Sequence, residues 1–145
     1  MIIVPPRRLK DTPRGVRCDR PAELLDVYPT LIDAVGLAPI DQDQHLDGIS
    51  LLPWLANPQA AKQRPAITTL YAHNHSLVDS RYRYTRYADG SEELYDRLED
   101  PHEFDNLIEQ VKNDTDLQAV LDKLSGSIPQ DEAGEPDLID ERIQN

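Results

Sequence analysis

The chain has 145 residues, with 27 acidic side chains against 15 Lys and Arg and a formal net charge of −12. That length suits one modest domain, and the charge argues against a nucleic-acid or anionic-membrane partner. No run approaches the roughly 20 apolar residues of a membrane helix, no charged segment followed by an apolar one marks a signal peptide, and a single Cys18 excludes an intramolecular disulfide.

The opening Met1-Ile2-Ile3-Val4 run is apolar and β-branched and stops at Pro5-Pro6. It reads as the end of a buried strand or as a frayed terminus. Arg7 to Arg20 is basic and polar, broken by Pro13 and Gly15, and is expected to be a loop. From Leu24 the apolar positions 24, 25, 27, 28, 31, 32, 34 and 35 trace a helix face. Pro29 interrupts it, so either the helix is kinked or a short turn leads into a main helix that starts at Pro29. We take the second, with Asp26 capping the turn and Gly36 closing the helix in the left-handed conformation.

Asp41, Asp43 and Asp47 lie in a polar loop that invites a calcium reading, since that cation takes oxygen ligands. The glycine and glutamate of an EF-hand spacing are missing, which favours a solvated turn. Ser50 is expected to cap a short helix, Leu51 to Leu55, that buries Leu51, Leu52 and Trp54. Two strands, Ile67–Ala72 and Ser76–Ser80, flank His73-Asn74-His75. Tyr82 to Leu107 then reads as strand, Asp89-Gly90 turn, strand and acidic loop. A two-residue type I′ turn sets a register in which Tyr84 faces Tyr95, Thr85 faces Leu94 and Arg86 faces Glu93. Apolar positions 117, 120, 121 and 124 predict an amphipathic helix over Asp114–Leu124, closed by Gly126. The acidic segment from Pro129 has little to bury and is expected to be disordered.

These elements give an α+β fold: a small antiparallel sheet of three to four strands with packed helices and an acidic tail. The expected organisation is 1–60 for the strand, loop and helix, 61–128 for the sheet with its closing helix, and 129–145 for the tail.

Two blocks carry a resemblance. Arg83-Tyr84, Arg86-Tyr87, Asp89-Gly90, Glu93-Leu94-Tyr95-Asp96 and Asp100-Pro101-His102-Glu103 with Asn106-Leu107 resemble the "RYIRY…DG…ELYD…DP.E..NL" signature of sulfatases. Asp26-Val27-Tyr28-Pro29-Thr30-Leu31 and Leu46-Asp47-Gly48-Ile49-Ser50-Leu51 resemble the segment that precedes it. The likeness is to the iduronate-2-sulfatase-like branch of the alkaline-phosphatase superfamily, over roughly residues 1–125. It implies the C-terminal subdomain of an α/β sulfatase fold, with residues 1–60 the remnant of the end of its main domain. It further implies a full-length protein acting on sulfated carbohydrate with calcium and a formylglycine, in a family often exported or lysosomal.

The residues do not supply that chemistry. Formylglycine arises in a Cys/Ser-x-Pro-x-Arg motif, whereas Cys18 is followed by Arg20 and Ala22 at the two diagnostic positions. No catalytic or metal residue carries over, and no cofactor is expected in this chain. His73 and His75 are the candidate substrate-binding pair: spaced by two they share a strand face, where histidines can meet an anionic sugar. The competing reading is surface histidines with no ligand. Arg83 and Arg86 could grip a sulfate, although a salt bridge from Arg86 to Glu93 competes. Tyr82, Tyr84, Tyr87 and Tyr95 suit sheet packing, and His102 and Glu103 suit a turn. Ser50 and Ser91 lack a His/Asp constellation. The expectation is thus a sulfatase fragment inactive alone, which exposes apolar surface and self-associates. The alternative is a stand-alone module that binds a sulfated glycan or a protein.

Overall fold

The computed structural model describes residues 2–5, 7, 12–37, 46–59 and 64–130. The chain divides into two compact units, Met1–Arg64 and Pro65–Asn145. Asp41, Asp43 and the tail from residue 131 lie outside the described residues.

In the second unit, β1 (Ala66–Thr69), β2 (His75–Val78), β3 (Tyr82–Arg86) and β4 (Glu92–Asp96) form an antiparallel sheet in chain order. The register aligns Ile67, Leu77, Tyr84 and Leu94 in one row across all four strands. Leu77, Tyr84 and Leu94 are fully buried. The helix over Thr115–Ser125 packs Leu117, Val120, Leu121 and Leu124 into the same cluster, with Val111 and Ile128. This is the α+β arrangement expected, with the alternation of the strands feeding one covered face.

That helix starts because the Asp114 carboxylate accepts from the amides of Asp116 (2.9 Å) and Leu117 (3.1 Å), satisfying first-turn donors. Gly126 closes the helix, as the sequence predicts. Gly126 stays right-handed at φ −65°, and two further turns, Ser127 to Leu124 and Ile128 to Ser125, carry Ile128 into the core.

The central hairpin also corrects the expected register. The amide of Gly90 donates to Tyr87 (3.0 Å) and the amide of Tyr87 to Ser91 (2.9 Å). Among residues 87–91 Gly90 alone has positive φ, +85°. This is a three-residue loop, a type I turn followed by a left-handed glycine, rather than a two-residue turn. Tyr84 therefore faces Leu94, Thr85 faces Glu93 and Arg86 faces Glu92. The reason is twofold: Asp89 spends its carboxylate on the Ser91 amide (2.9 Å) and hydroxyl (2.6 Å), and the shift places Leu94 on the covered face.

β1 ends at Thr69, three residues earlier than the sequence suggested, because Tyr71 (φ 56°) and His73 (φ 64°) turn the chain through the left-handed region, and β2 begins one residue early, at His75. Asp79 ends β2: its Oδ1 accepts from the amides of Arg81 and Tyr82, both at 2.8 Å. Its Oδ2 takes Lys123 of the closing helix at 3.0 Å. Asp96 holds Arg81 through one oxygen (2.9 and 2.5 Å) and the amides of Leu98 and Glu99 through the other.

In the first unit, a 3-10 turn at Leu24–Asp26 leads directly into α1, Val27–Val35. The helix thus begins before Pro29, which sits in the first turn where its missing N–H has no helical acceptor to lose. Gly36 (φ +69°) closes it as expected, with Leu37 donating to Ile32 at 3.1 Å. The next helix, α2, spans Leu52–Ala56, and Ser50 Oγ accepts from the Leu52 amide at 3.3 Å. We number the helix over Thr115–Ser125 α3. Residues 2–4 form no strand, since none of the described residues pairs with them, and Ile2 and Val4 are exposed.

Two outcomes are expected. Gly90→Ala finds empty space around its new Cβ, so its cost is that of the left-handed backbone, about 1 kcal/mol or more by urea unfolding. Acid should also destabilise the sheet unit. The guanidinium of Arg81, opposed by burial, holds the Asp96 carboxyl below its ordinary 3.8. Burial pushes Asp79 up, but the amides of Tyr82 and Arg81 and the Lys123 ammonium leave it lowered too. Depressed carboxylates stabilise the fold above the unfolded pKa and stop doing so as pH falls through the folded one. Melting at pH 7 and at successively lower pH below about 4 should show the loss, with a shallower slope in Asp96→Asn.

Candidate functional site

The first sequence block converges on Asp26, which is 1% exposed. Its Oδ1 accepts from the Ile49 amide at 2.9 Å and from Arg64 Nη2 at 2.5 Å, and its Oδ2 accepts from the Glu23 amide at 2.8 Å. Arg64 also pairs with Glu23. The Thr30 hydroxyl donates to the Asp26 carbonyl (2.5 Å) and accepts from the Leu51 amide (2.8 Å). Ser50 Oγ donates to Asp33 at 2.6 Å. A Cβ at Gly48 would collide with the carbonyl of Leu25. Asp26 therefore caps more than a turn: together with Thr30 it latches the 46–51 loop onto α1. A buried carboxylate with three donors is stable only while all three stay in place.

The second block wraps residues 97–107 along β4. The amide and carbonyl of Leu94 bond to Asn106 Oδ1 (3.1 Å) and to the Leu107 amide (2.8 Å), so backbone groups on this edge of the sheet are covered. Asn106 also accepts from Ile108 (3.0 Å), and Asp100 from Asp105 (2.8 Å). Glu103, left-handed at φ 57°, pairs with Arg83 and, at 3.4 Å, with Arg97. Arg83 also lies over the Tyr95 ring at 5.7 Å. It is thus bound to a carboxylate and an aromatic face.

The remaining candidates separate. Arg86 stands opposite Glu92, not Glu93; the Glu93 carboxylate accepts from Tyr87 (3.0 Å) and that of Glu92 from Tyr84. Burial and that bond to Glu92 push the Tyr84 phenol well above its ordinary value, and Tyr84 serves the core. Tyr82 packs against the same core. His102 lies in a turn and stacks on Phe104 with centroids 5.6 Å apart.

His73 and His75 do not share a strand face. His73 is in the turn before β2 and exposed; His75 opens β2, is 2% exposed, and places Nδ1 3.0 Å from Thr69 Oγ1. The left-handed turn breaks the alternation on which the same-face expectation rested.

One feature escaped the sequence reading. A cleft of about 550 Å³ in the first unit is lined by Ile3, Val16, Arg20, Leu51, Trp54 and Pro58 among others. Arg14, Arg17 and Arg20, three residues apart along the basic loop, contribute to its wall. Arg14 donates to the Pro5 carbonyl (3.2 Å), Arg20 to that of Pro58 (3.4 Å), and Arg17 pairs with Asp19. These guanidinium groups pin the loop. Cys18 is exposed, with Sγ 3.8 Å from the Pro58 carbonyl. Among the described residues no group of three or more His, Cys, Asp or Glu side chains could hold a metal ion. Nor is any helix among them long and apolar enough to cross a membrane.

The two histidines give a separable outcome. His75→Ala removes a buried hydrogen-bonding side chain and should cost about 1–3 kcal/mol, while His73→Ala costs less; urea titration of both variants checks it.

Comparison with known proteins agrees with the two blocks. The chain is 34% identical over 108 residues to a sulfatase of Formosa agariphila, matching 74% of this chain and 21% of that protein. It is 36% identical over 98 residues to the Delta 4,5-hexuronate-2-O-sulfatase of Bacteroides thetaiotaomicron, matching 61% of this chain and 20% of that one. The fold recurs at a TM-score of 0.56 and 21% identity in a protein solved with its substrate D-glucosamine-2-N,6-O-disulfate, over 70% of this chain and 23% of the other. It recurs at 0.54 and 26% identity in the phosphonate monoester hydrolase of Agrobacterium radiobacter, with the same coverage. No family model matches. The chain spans about a fifth of the length of these curated relatives. Its shared segment and its fold make it a member of the sulfatase family, consistent with the C-terminal part of an alkaline-phosphatase-superfamily sulfatase.

Proposed function

We propose that this chain is the C-terminal part of a sulfuric ester hydrolase that acts, in its full-length form, on sulfated carbohydrate, and that it does not cleave sulfate esters by itself. The observation that carries this reading is where the polar groups of the two blocks go. Asp26, Thr30, Asp96, Asn106 and Glu103 all spend their oxygens on backbone amides, hydroxyls or guanidinium groups of the same chain. They shape the fold and leave the chemistry to other residues.

Sulfate-ester hydrolysis needs an activated nucleophile and cations that neutralise charge on the sulfuryl oxygens. Cys18 lies outside the formylglycine motif, so in this reading the nucleophile and calcium belong to residues outside this chain. A sulfated carbohydrate is supported by the substrates named for two similar proteins, a hexuronate 2-O-sulfate and a disulfated glucosamine. Of the histidine pair, exposed His73 is the one in this reading that reaches such a sugar.

Incubated with calcium and an aryl sulfate, the purified 145-residue chain should release no phenol above the buffer background. Turnover that disappears in Cys18→Ala would overturn the assignment.

A further inference from the structure

The cleft of the first unit differs in chemistry from the rest of the chain. In a protein of net charge −12, its wall carries Arg14, Arg17 and Arg20 and no acidic side chain. Most of the remaining wall is apolar, with Ile3, Leu51 and Trp54 among its residues. Arg14 and Arg20 donate to the neutral carbonyls of Pro5 (3.2 Å) and Pro58 (3.4 Å), bonds that leave both positive charges uncompensated. Arg17 is exposed and pairs with Asp19, which lies outside the wall. Nη1 of Arg20 is buried and has no hydrogen-bond partner among the described residues. A buried guanidinium donor without an acceptor is costly, and native proteins rarely leave one so unless a ligand, ion or water completes it.

We propose that this cleft binds a small organic anion with an apolar body and one oxyanion head, a carboxylate or a sulfate ester. Its volume of about 550 Å³ suits a small molecule, and a mostly apolar wall with a few polar groups is the usual make-up of such sites. The head sits at Nη1 of Arg20, because a guanidinium presents donors that match the oxygens of an oxyanion. The body lies against Leu51 and Trp54. A neutral apolar molecule leaves the Arg20 donor without an acceptor, and inorganic sulfate leaves the apolar wall in water. The inference goes beyond the sulfatase reading and does not depend on it. The site needs no nucleophile, so turnover of an aryl sulfate bears only on that reading.

Trp54 is the only tryptophan of the chain and is 7% exposed, so its fluorescence reports on the cleft. The full chain is titrated with hexyl sulfate, hexanoate, hexanol and inorganic sulfate. The two amphiphilic anions should change Trp54 fluorescence saturably. They should also slow alkylation of Cys18, the single cysteine, which lies in the same wall. Hexanol and inorganic sulfate should bind more weakly by about tenfold, and Arg20→Gln should weaken hexyl sulfate by a similar factor. Lys112→Gln, an equal charge change in the other unit, should leave binding unchanged. Because Arg20 also holds the Pro58 carbonyl, Arg17→Gln, which keeps that bond, is the second variant and should weaken binding too. Far-UV circular dichroism checks that each variant is folded. A response to one anion alone supports the site and fixes its head group as sulfate ester or carboxylate. No saturable response to either anion overturns the proposal. So does hexanol binding as tightly as hexyl sulfate, or binding that both arginine variants leave intact.

Discussion

The left-handed backbone of Gly90 sets the geometry on which the sheet unit depends. It fixes a three-residue loop, the loop fixes which residue of β4 lies opposite Tyr84, and that pairing puts Leu94 rather than Tyr95 in the row with Ile67 and Leu77. A slip of one residue would send Leu94 to the other face and leave α3 with an incomplete surface to cover. The closing helix, the burial of Val111 and the inward turn of Ile128 are all answers to that one row.

Around both cores the acidic side chains have a common task. Asp26, Asp79, Asp89, Asp96, Asp100 and Asp114 each accept from one or more backbone amides where the chain changes direction. Short carboxylates do this well because they mimic a backbone carbonyl at a turn. Much of what makes the sequence resemble a sulfatase is therefore turn chemistry. A signature of this kind identifies a fold with confidence in its architecture, while the reaction belongs to residues that approach a substrate.

What the sequence revealed follows from the range of the interactions involved. The β3 and β4 strands, the α3 helix and the Gly36 terminus depend on neighbours within a few positions, and all were legible. The turn type was not, because Asp89-Gly90 suits both a two-residue and a three-residue loop and the choice is made by burial of Leu94. The start of α1 was misplaced because proline is a breaker inside a helix and harmless in its first turn. The Asp26 to Arg64 contact joins residues far apart in sequence, and no local pattern marks it. The histidine pair was misjudged for a related reason: alternation was assumed to continue through residues 71–74, where two left-handed residues break it.

The strand order has a kinetic corollary. Each strand pairs with the one before it, across the short connections 70–74, 79–81 and 87–91. Such a sheet can zip together hairpin by hairpin, with little loop entropy to overcome at any step. Its low contact order places it among topologies that form early and without waiting for distant partners. As the chain emerges during synthesis, this end can acquire its shape on its own schedule, and only the Lys123 to Asp79 tie and the docking of α3 must wait for the last turn of helix.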